Sequence, residues 1–183
     1  IVTISESRPE HAQLTPQARA VIKARQGVEY LANAEVRVVD DDGQEVAKDG
    51  AAMGEIIIRG NAVMKGYYND PAATAKAIRN GWFYSGDAAV VHPDGYIEIR
   101  DRWKDIIISG GENISSVEVE GVLLRHPAVQ ESAVVGLPHE KWGETPQAFI
   151  VLKPGAETTP EALRLFCREH LAHFKVQIGR AHV

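Results

Sequence analysis

The sequence predicts a mixed α/β fold made of two parts. Residues 1–100 contain apolar or alternating runs separated by turns rich in glycine and proline, which is typical of strands. Residues 101–177 show strand, helix, strand, strand and helix in order, which describes a small α/β domain. A chain of 183 residues, 44% of them hydrophobic, is long enough for one or two domains with a buried core.

The first predicted helix lies in "LTPQARAVIKARQG". Thr15 caps it, Pro16 occupies its first position and Gly27 ends it. Two strands follow, because "AEVRVVD" alternates before a turn and "GEIIIRG" is a short apolar run between glycines. The second run indicates a buried strand.

A short helix and a hairpin complete the first part. The helix lies in "DPAATAKAI", with Asp70 as its cap and Pro71 at its first position. In "AAVVHPDGYIEIRD", two β-rich runs flank Pro93, Asp94 and Gly95, a combination that predicts a tight turn.

The second part opens with the strand "KDIIIS" and the helix "SSVEVEGVLLRHP". Ser115 and Glu118 have the spacing of a capping box. Val117, Val122 and Leu124 recur at roughly helical intervals, so we expect them to form the buried face.

Two strands and a closing helix follow. The strands are "AVQESAVVGLP" and "PQAFIVLKP", and the helix is "TTPEALRLFCREHLAHF". Thr158 and Glu161 repeat the capping-box spacing and predict where this helix begins.

Composition argues against several classes of function. A net charge of −5 gives no reason to expect a nucleic-acid partner, and no apolar run approaches the ~20 residues of a membrane helix. Cys167 is the only cysteine, so we expect a reducing compartment and a small core side chain there. His170 and His173 have a spacing that metals use, but no third ligand is near, so we predict a solvated face and no metal site.

Asp87 and Arg102 are candidate binding residues. Asp87, in "GWFYSGDAA", could accept two hydrogen bonds from a vicinal diol such as that of ribose. A turn aspartate bonded to its own backbone explains the same pattern, and the residues alone favour it. Arg102 offers five donors for phosphate or ribose oxygens, or forms a surface ion pair with Asp101 or Asp105.

The segment "KDIIISGGENIS" holds two further candidates. Lys104 stands near the boundary between the parts, where a hinge residue must tolerate a large change in φ and ψ, although an edge-strand lysine is the alternative. In the loop Ser109, Gly110, Gly111, Glu112 and Asn113, the glycines allow close approach of a ligand or supply positive φ. The loop leads to a helix N-terminus, an anion site, but a plain strand-to-helix turn is the simpler interpretation.

Taken together, three blocks resemble one family. They are "GEIIIRGNAVMKGYYNDPAAT", "GWFYSGDAAVVHPDGYIEIRDRWKDIIISGGENISSVEVE" and "HPAVQESAVVGLPHEKWGETPQAFIVLKP". They are similar to the adenylate-forming (AMP-binding) acyl-CoA synthetases, and most like the medium- and long-chain fatty-acid–CoA ligases and acyl-activating enzymes. The resemblance implies that residues 1–100 are the β-rich end of a large adenylate-forming domain, and that 101–177 are the small, mobile C-terminal domain.

The resemblance also implies a two-step reaction. A carboxylate, such as a fatty or aromatic acid, reacts with ATP and Mg²⁺ to form an acyl-adenylate, and the thiol of coenzyme A then displaces AMP. Asp87 and Arg102 match the residues that bind ATP and AMP, and Lys104 matches the hinge. Ser109 to Asn113 match the loop that borders the pantetheine arm of coenzyme A, while Trp142, Gly143 and Glu144 match a family loop motif to which we assign a structural role.

Several family parts are absent from these residues. The adenylation lysine is expected beyond Gln177, and Lys175 does not match it, so we expect no catalytic residue and no adenylation in residues 1–177. The chain thus resembles a C-terminal fragment. One frame of a common sequencing adapter encodes the last six residues, so we expect 178–183 to be foreign.

Three hypotheses remain open for the parent protein. The first is an ATP- and coenzyme-A-dependent acyl-CoA ligase, cytoplasmic unless targeted to an organelle. The second is an adenylating enzyme that passes the acyl group to a carrier protein or to oxygen. The third is a non-catalytic nucleotide-binding module that keeps the fold, since fold alone does not determine function.

Overall fold

The computed structural model describes residues 3–30, 34–176 and 179–182. The chain divides into two compact units, Ile1–Trp103 and Lys104–Val183. Each unit combines helices with a largely antiparallel sheet, which confirms the mixed α/β class. The strand Ile97–Arg102 runs past residue 100 and lies wholly in the first unit.

The first unit is β-rich. In chain order its elements are β1 (Thr3–Ile4), a 3-10 turn (Pro9–Gln13), α1 (Pro16–Lys23), β2 (Val28–Glu29), β3 (Ala34–Val39), β4 (Met53–Gly60), α2 (Pro71–Ala77), β5 (Ile78–Arg79), β6 (Trp82–Val91) and β7 (Ile97–Arg102). A 3-10 turn, Trp103–Asp105, crosses the division between the units.

An antiparallel sheet forms the centre of this unit. Its strand order is β3-β4-β6-β5, with β7 paired to β6, while β1 and β2 form a separate pair. Alternation along the strands directs one set of apolar side chains to a single face. The buried cluster on that face consists of Val38, Ile56, Ala89, Val91 and Ile97.

The predicted N-caps of the first unit are confirmed, whereas α1 ends at Lys23, before the expected Gly27. Thr15 Oγ1 and Asp70 Oδ1 each accept a hydrogen bond from the N–H three residues later, at 3.2 and 2.8 Å. The β6–β7 hairpin turns where expected, since the Gly95 N–H donates to the His92 carbonyl and Gly95 has a φ of +83°. These contacts lie within a few residues, which is why sequence alone reveals them.

The second unit packs two helices on a sheet. Its elements are β8 (Ile107–Ser109), β9 (Glu112–Ile114), α3 (Ser116–Leu123), β10 (Val129–His139), β11 (Gly143–Leu152), α4 (Pro160–His170), a 3-10 turn (His173–Val176) and β12 (Gly179–His182). The strand order is β10-β11-β8-β9, and β12 pairs with β11 in parallel. The buried cluster includes Ile107, Ile114, Val119, Val122, Leu123, Val129, Val134, Ala148, Ile150, Leu163, Cys167 and Val176.

The predicted buried face of α3 is wrong. Val117 and Leu124 are 54% and 49% exposed, whereas Val119, Val122 and Leu123 are buried. Residues spaced i, i+3 and i+4 share a face, so 119, 122 and 123 form one stripe. At 100° per residue, Val117 lies about 140° from Val122, so the two cannot both point to the core.

The predicted start of α4 is also corrected. Thr159 is the cap, and its Oγ1 accepts a hydrogen bond from the Ala162 N–H at 3.2 Å. Because Pro160 occupies the first helical position, the cap is the residue directly before it, Thr159, rather than Thr158. For α3 the predicted cap is confirmed, because Ser115 Oγ accepts from the Glu118 N–H.

Several remaining expectations concern single residues or the chain end. Cys167 is fully buried, as expected, and burial raises the pKa of its thiol to about 11. His170 Nδ1 lies 2.8 Å from the Phe166 carbonyl oxygen, a contact along its own helix. Within the described ranges, no helix combines the length and apolar character needed to cross a membrane. Of the tail 178–183, residues 178 and 183 lie outside the described residues, so its foreign origin stays a prediction.

Candidate functional site

A bulge in β6 displaces Asp87 from the regular ladder. Tyr84 pairs with Ile57 and Ala88 pairs with Glu55, so residues 85–87 stand opposite the single residue Ile56. A bulge of this kind bends the strand and changes the direction of its side chains. The bulge therefore gives Asp87 an orientation that a regular strand would not.

A glycine and two hydrogen bonds stabilise this bulge. Gly86 has a φ of +76°, a conformation that glycine adopts without strain, and its N–H donates to Glu55 Oε1 at 2.9 Å. The Asp87 N–H donates to Ser85 Oγ at 3.1 Å. The backbone around Asp87 is thus held by side chains from its own strand and from β4, which leaves the Asp87 carboxylate for another partner.

That partner is Arg102. The two residues are paired across β6 and β7, and Arg102 Nη1 lies 2.9 Å from Asp87 Oδ1. The side chains are 59% and 27% exposed, so a solute can reach both. The structure thus brings together two residues that lie fifteen positions apart in the sequence, and it offers a carboxylate and a guanidinium side by side at the surface.

Lys104 lies two residues beyond this pair, in the 3-10 turn Trp103–Asp105. Its side chain is 80% exposed, and its ammonium lies 3.7 Å from Asp105 Oδ1. An exposed pair at this distance contributes little to stability. The surroundings of the side chain thus place few constraints on the backbone at Lys104.

The loop Ser109–Asn113 is a tight hairpin turn. Ser109 pairs with Glu112 across β8 and β9, so Gly110 and Gly111 are the two turn residues. Their φ values are +63° and +88°, and a type I′ turn requires positive φ at both positions. Ser109 is buried, whereas the next four residues, through Asn113, are exposed.

The sequence interpretation of this loop as a strand-to-helix connection is wrong. Strand β9 intervenes between the glycines and α3, and Ser115 caps the helix. The expected anion site at a helix N-terminus is therefore not formed by Gly110 and Gly111. Of the two roles considered for the glycines, positive φ is confirmed.

The family motif Trp142–Glu144 lies against this turn. Gly143 pairs with Ser109, and the Gly110 N–H donates to the Trp142 carbonyl at 2.8 Å. The Ile108 N–H donates to Glu144 Oε2 at 2.9 Å. The motif therefore contacts the glycine turn directly.

Sequence reasoning missed Glu55, which holds the Gly86 amide. Glu55 is an acidic residue directly before the apolar run 56–58, and a charged residue beside such a run usually has a specific partner. That signal was available, although the identity of the partner was not. Among the described residues, no group of three or more histidine, cysteine or acidic side chains could hold a metal ion.

Comparison with known proteins identifies both parts of the chain. Residues 4–68 match the model of the family described as AMP-binding enzyme, and residues 118–183 match that of the AMP-binding enzyme C-terminal domain. A probable CoA ligase, CCL11, from Humulus lupulus is 58% identical over 166 residues, which are 88% of this chain and 29% of the relative. Acetate–CoA ligase CCL3 from the same plant is 56% identical over 160 residues, 87% of this chain and 28% of the relative.

A solved structure supports the same relationship. O-succinylbenzoate coenzyme A synthetase (MenE) from Bacillus subtilis, in complex with ATP and magnesium ion, matches with a TM-score of 0.75 and 34% identity. The match covers 92% of this chain and 34% of that protein. The chain thus spans about a third of the length of the relatives it matches. With both family models in their expected order along it, the chain belongs to the adenylate-forming, AMP-binding enzyme family.

Proposed function

We propose that this chain is part of an AMP-forming acid–thiol ligase. In the first step a carboxylate attacks ATP, forming an acyl-adenylate and releasing pyrophosphate. In the second step the thiol of coenzyme A attacks the acyl carbon, a thioester forms and AMP leaves. The observation that carries the proposal is the exposed Asp87–Arg102 pair on its bulge, in a chain of this family.

Asp87 and Arg102 suit the nucleotide. In the ion pair, Arg102 Nη1 lies 2.9 Å from Asp87 Oδ1. An ionised carboxylate has about four acceptor positions, so Asp87 can also accept both hydroxyls of a ribose. The guanidinium can donate to ribose or phosphate oxygens from the adjacent position. Magnesium would arrive with ATP, and we assign it no ligand among these residues.

The Ser109–Asn113 turn suits the second step. Glycine at both turn positions leaves only backbone there, so a narrow pantetheine arm can approach closely. We assign this turn to coenzyme A and Lys104 to a hinge between the two steps. Rotation of one domain about such a hinge would let different surfaces serve each step in turn.

The acid is proposed only as a class. The family resemblance favoured a fatty acid, but the similar relatives are named for acetate and for o-succinylbenzoate, a short aliphatic and an aromatic acid. We propose a fatty or aromatic carboxylic acid as the substrate. A panel of short, medium, long and aromatic acids, assayed by the release of AMP, discriminates among them.

The decisive experiment uses protein from the complete reading frame that encodes these residues. ATP–pyrophosphate exchange measures the first step, and loss of the coenzyme A thiol measures the second. Asp87→Ala removes two charge-assisted hydrogen bonds to ribose, at about 1.5 kcal/mol each, and should raise the KM for ATP on the order of 100-fold. Asp41→Ala is the matched control, because it removes an exposed carboxylate from a turn of the same unit.

Two results would overturn the proposal. One is a wild-type enzyme that exchanges no pyrophosphate with any acid of the panel. The other is an Asp87→Ala enzyme whose KM for ATP equals that of the Asp41→Ala control.

A further inference from the structure

The hairpin that carries the glycine turn is anchored in the core at its base, by Ile107 and Ile114, but has little backbone pairing with its sheet near the turn. Strands β8 and β9 contain three residues each, and among the described residues β8 pairs with β11 at one position, Ser109 with Gly143. A short two-stranded hairpin is marginally stable by itself. Further contacts must therefore set the orientation of this turn relative to the sheet.

Glu144 supplies one such contact from the side. Its Oε2 accepts the Ile108 N–H at 2.9 Å, a hydrogen bond to a charged acceptor. Such bonds are shorter and stronger than bonds between neutral groups. Ile108 lies immediately before Ser109, so the carboxylate holds the hairpin at the base of the turn.

The Glu144 carboxylate is itself confined. A Cβ on Gly136 would lie 3.1 Å from Glu144 Oε2, so the side chain fits against a glycine of the neighbouring strand β10. On the other side of the turn, a Cβ on Gly110 would lie 2.9 Å from the Trp142 ring. The turn thus fits closely against Trp142 at Gly110, and Glu144 fits closely against Gly136 of β10.

These contacts lie apart from the core of the unit. Neither Glu144 nor Ile108 belongs to the buried cluster, and Ile108 is 55% exposed. Removal of the carboxylate should therefore leave the core packed, with Ile107 and Ile114 in place, while it loosens the end of the hairpin at the glycine turn. An experiment can therefore distinguish a change in the orientation of the turn from a loss of stability of the unit.

We propose that Glu144 is a positioning residue for the Ser109–Asn113 turn, and that it sets the affinity for the pantetheine thiol of coenzyme A. The claim about coenzyme A rests on the proposed function. The Glu144 carboxylate, through the Ile108 amide, holds the glycine turn in the orientation that admits the thiol arm. We assign Glu144 no contact with the thiol or with the acyl group.

The test compares Glu144→Ala with Glu144→Gln in the protein from the complete reading frame. Glutamine retains an oxygen that can accept the Ile108 N–H, whereas alanine does not. We expect Glu144→Ala to raise the KM for coenzyme A about tenfold, and Glu144→Gln to stay within about threefold of wild type. The rate of ATP–pyrophosphate exchange should be unchanged in both. Glu140→Ala, an exposed carboxylate just before the motif, is the control.

Hydrogen exchange provides a readout that does not depend on coenzyme A. In Glu144→Ala, amides of residues 107–111 should exchange about tenfold faster, while amides of 129–135 in β10 keep their wild-type rates. If the amides of 107–111 are unaffected, or if those of β10 accelerate equally, the positioning role is refuted. If those amides respond as expected but the KM for coenzyme A is unchanged, the role in thiol binding is refuted. A wild-type enzyme that forms adenylate but no thioester would instead refute the proposed acceptor.

Discussion

Replacement of Leu123 by alanine tests which face of α3 is buried, and the chain offers a matched control in Leu124. Leu123 is 1% exposed and belongs to the core cluster, whereas its neighbour Leu124 is 49% exposed. Both residues are leucines: Leu123 is the last residue of α3, and Leu124 is its C-cap. The main difference between them is therefore how far each side chain is buried.

The structure sets the size of each effect. Deletion of a buried leucine side chain to alanine costs about 2–5 kcal/mol, because a cavity adds to the lost transfer free energy. Full burial of a leucine is worth about 1.5–3 kcal/mol, so a half-exposed side chain contributes about 1 kcal/mol. We expect Leu123→Ala to reduce the free energy of unfolding by about 3 kcal/mol and Leu124→Ala by about 1 kcal/mol.

Native-state hydrogen exchange measures both values in peptides from the second unit. A loss of about 3 kcal/mol corresponds to about 150-fold faster exchange of the slowest amides in β10 and β11, and a loss of about 1 kcal/mol to about fivefold. Equal acceleration by the two variants, or a larger effect of Leu124→Ala, would show that the assigned buried face is wrong.

Three other predictions concern the hinge, the thiol and an ion pair. Lys104→Pro should restrict φ at the proposed hinge and impair thioester formation at least tenfold while sparing adenylation, and equal loss of both half-reactions would remove the hinge assignment. Cys167 has a pKa of about 11 against an ordinary 9.0, so native chain at pH 8 should react with iodoacetamide about 100-fold more slowly than unfolded chain. Because folding raises the pKa of Cys167, the neutral thiol contributes its full stabilisation of the folded state below pH 9.0. This stabilisation is lost as the pH rises through about 11, and urea unfolding at a series of pH values would measure the loss. Lys175 Nζ lies 2.6 Å from Glu118 Oε2 with both groups partly buried, so a double-mutant cycle should give a coupling of about 1 kcal/mol, and strictly additive variants would contradict this.

Much of the secondary structure was predictable from local signals. Thr15, Asp70 and Ser115 were identified as helix caps, and each bonds an amide three residues later. The error at Thr159 was a displacement of one residue, where two adjacent threonines precede the proline. Local signals thus locate an element well and its exact end less well.

The sequence predicted the residues of the candidate site better than it predicted the contacts between them. The resemblance directed attention to Asp87, Arg102 and the glycine loop, and the structure pairs the first two. Their roles in binding nucleotide and coenzyme A remain proposals. The hairpin geometry of the loop was missed because Glu112–Ile114 is too short and polar to signal a strand.

The sequence by itself determined the fold class, most of the elements in their order and the β6–β7 turn, because those depend on residues within a few positions of one another. The tertiary structure alone decided three things: which stripe of α3 is buried, that Glu55 holds the amide beside Asp87, and that Glu144 holds the base of the glycine turn. The partners of these two carboxylates lie 31 and 36 positions away in the chain. Such contacts depend on strand register and on the packing of neighbouring elements, which no local pattern of residue types encodes.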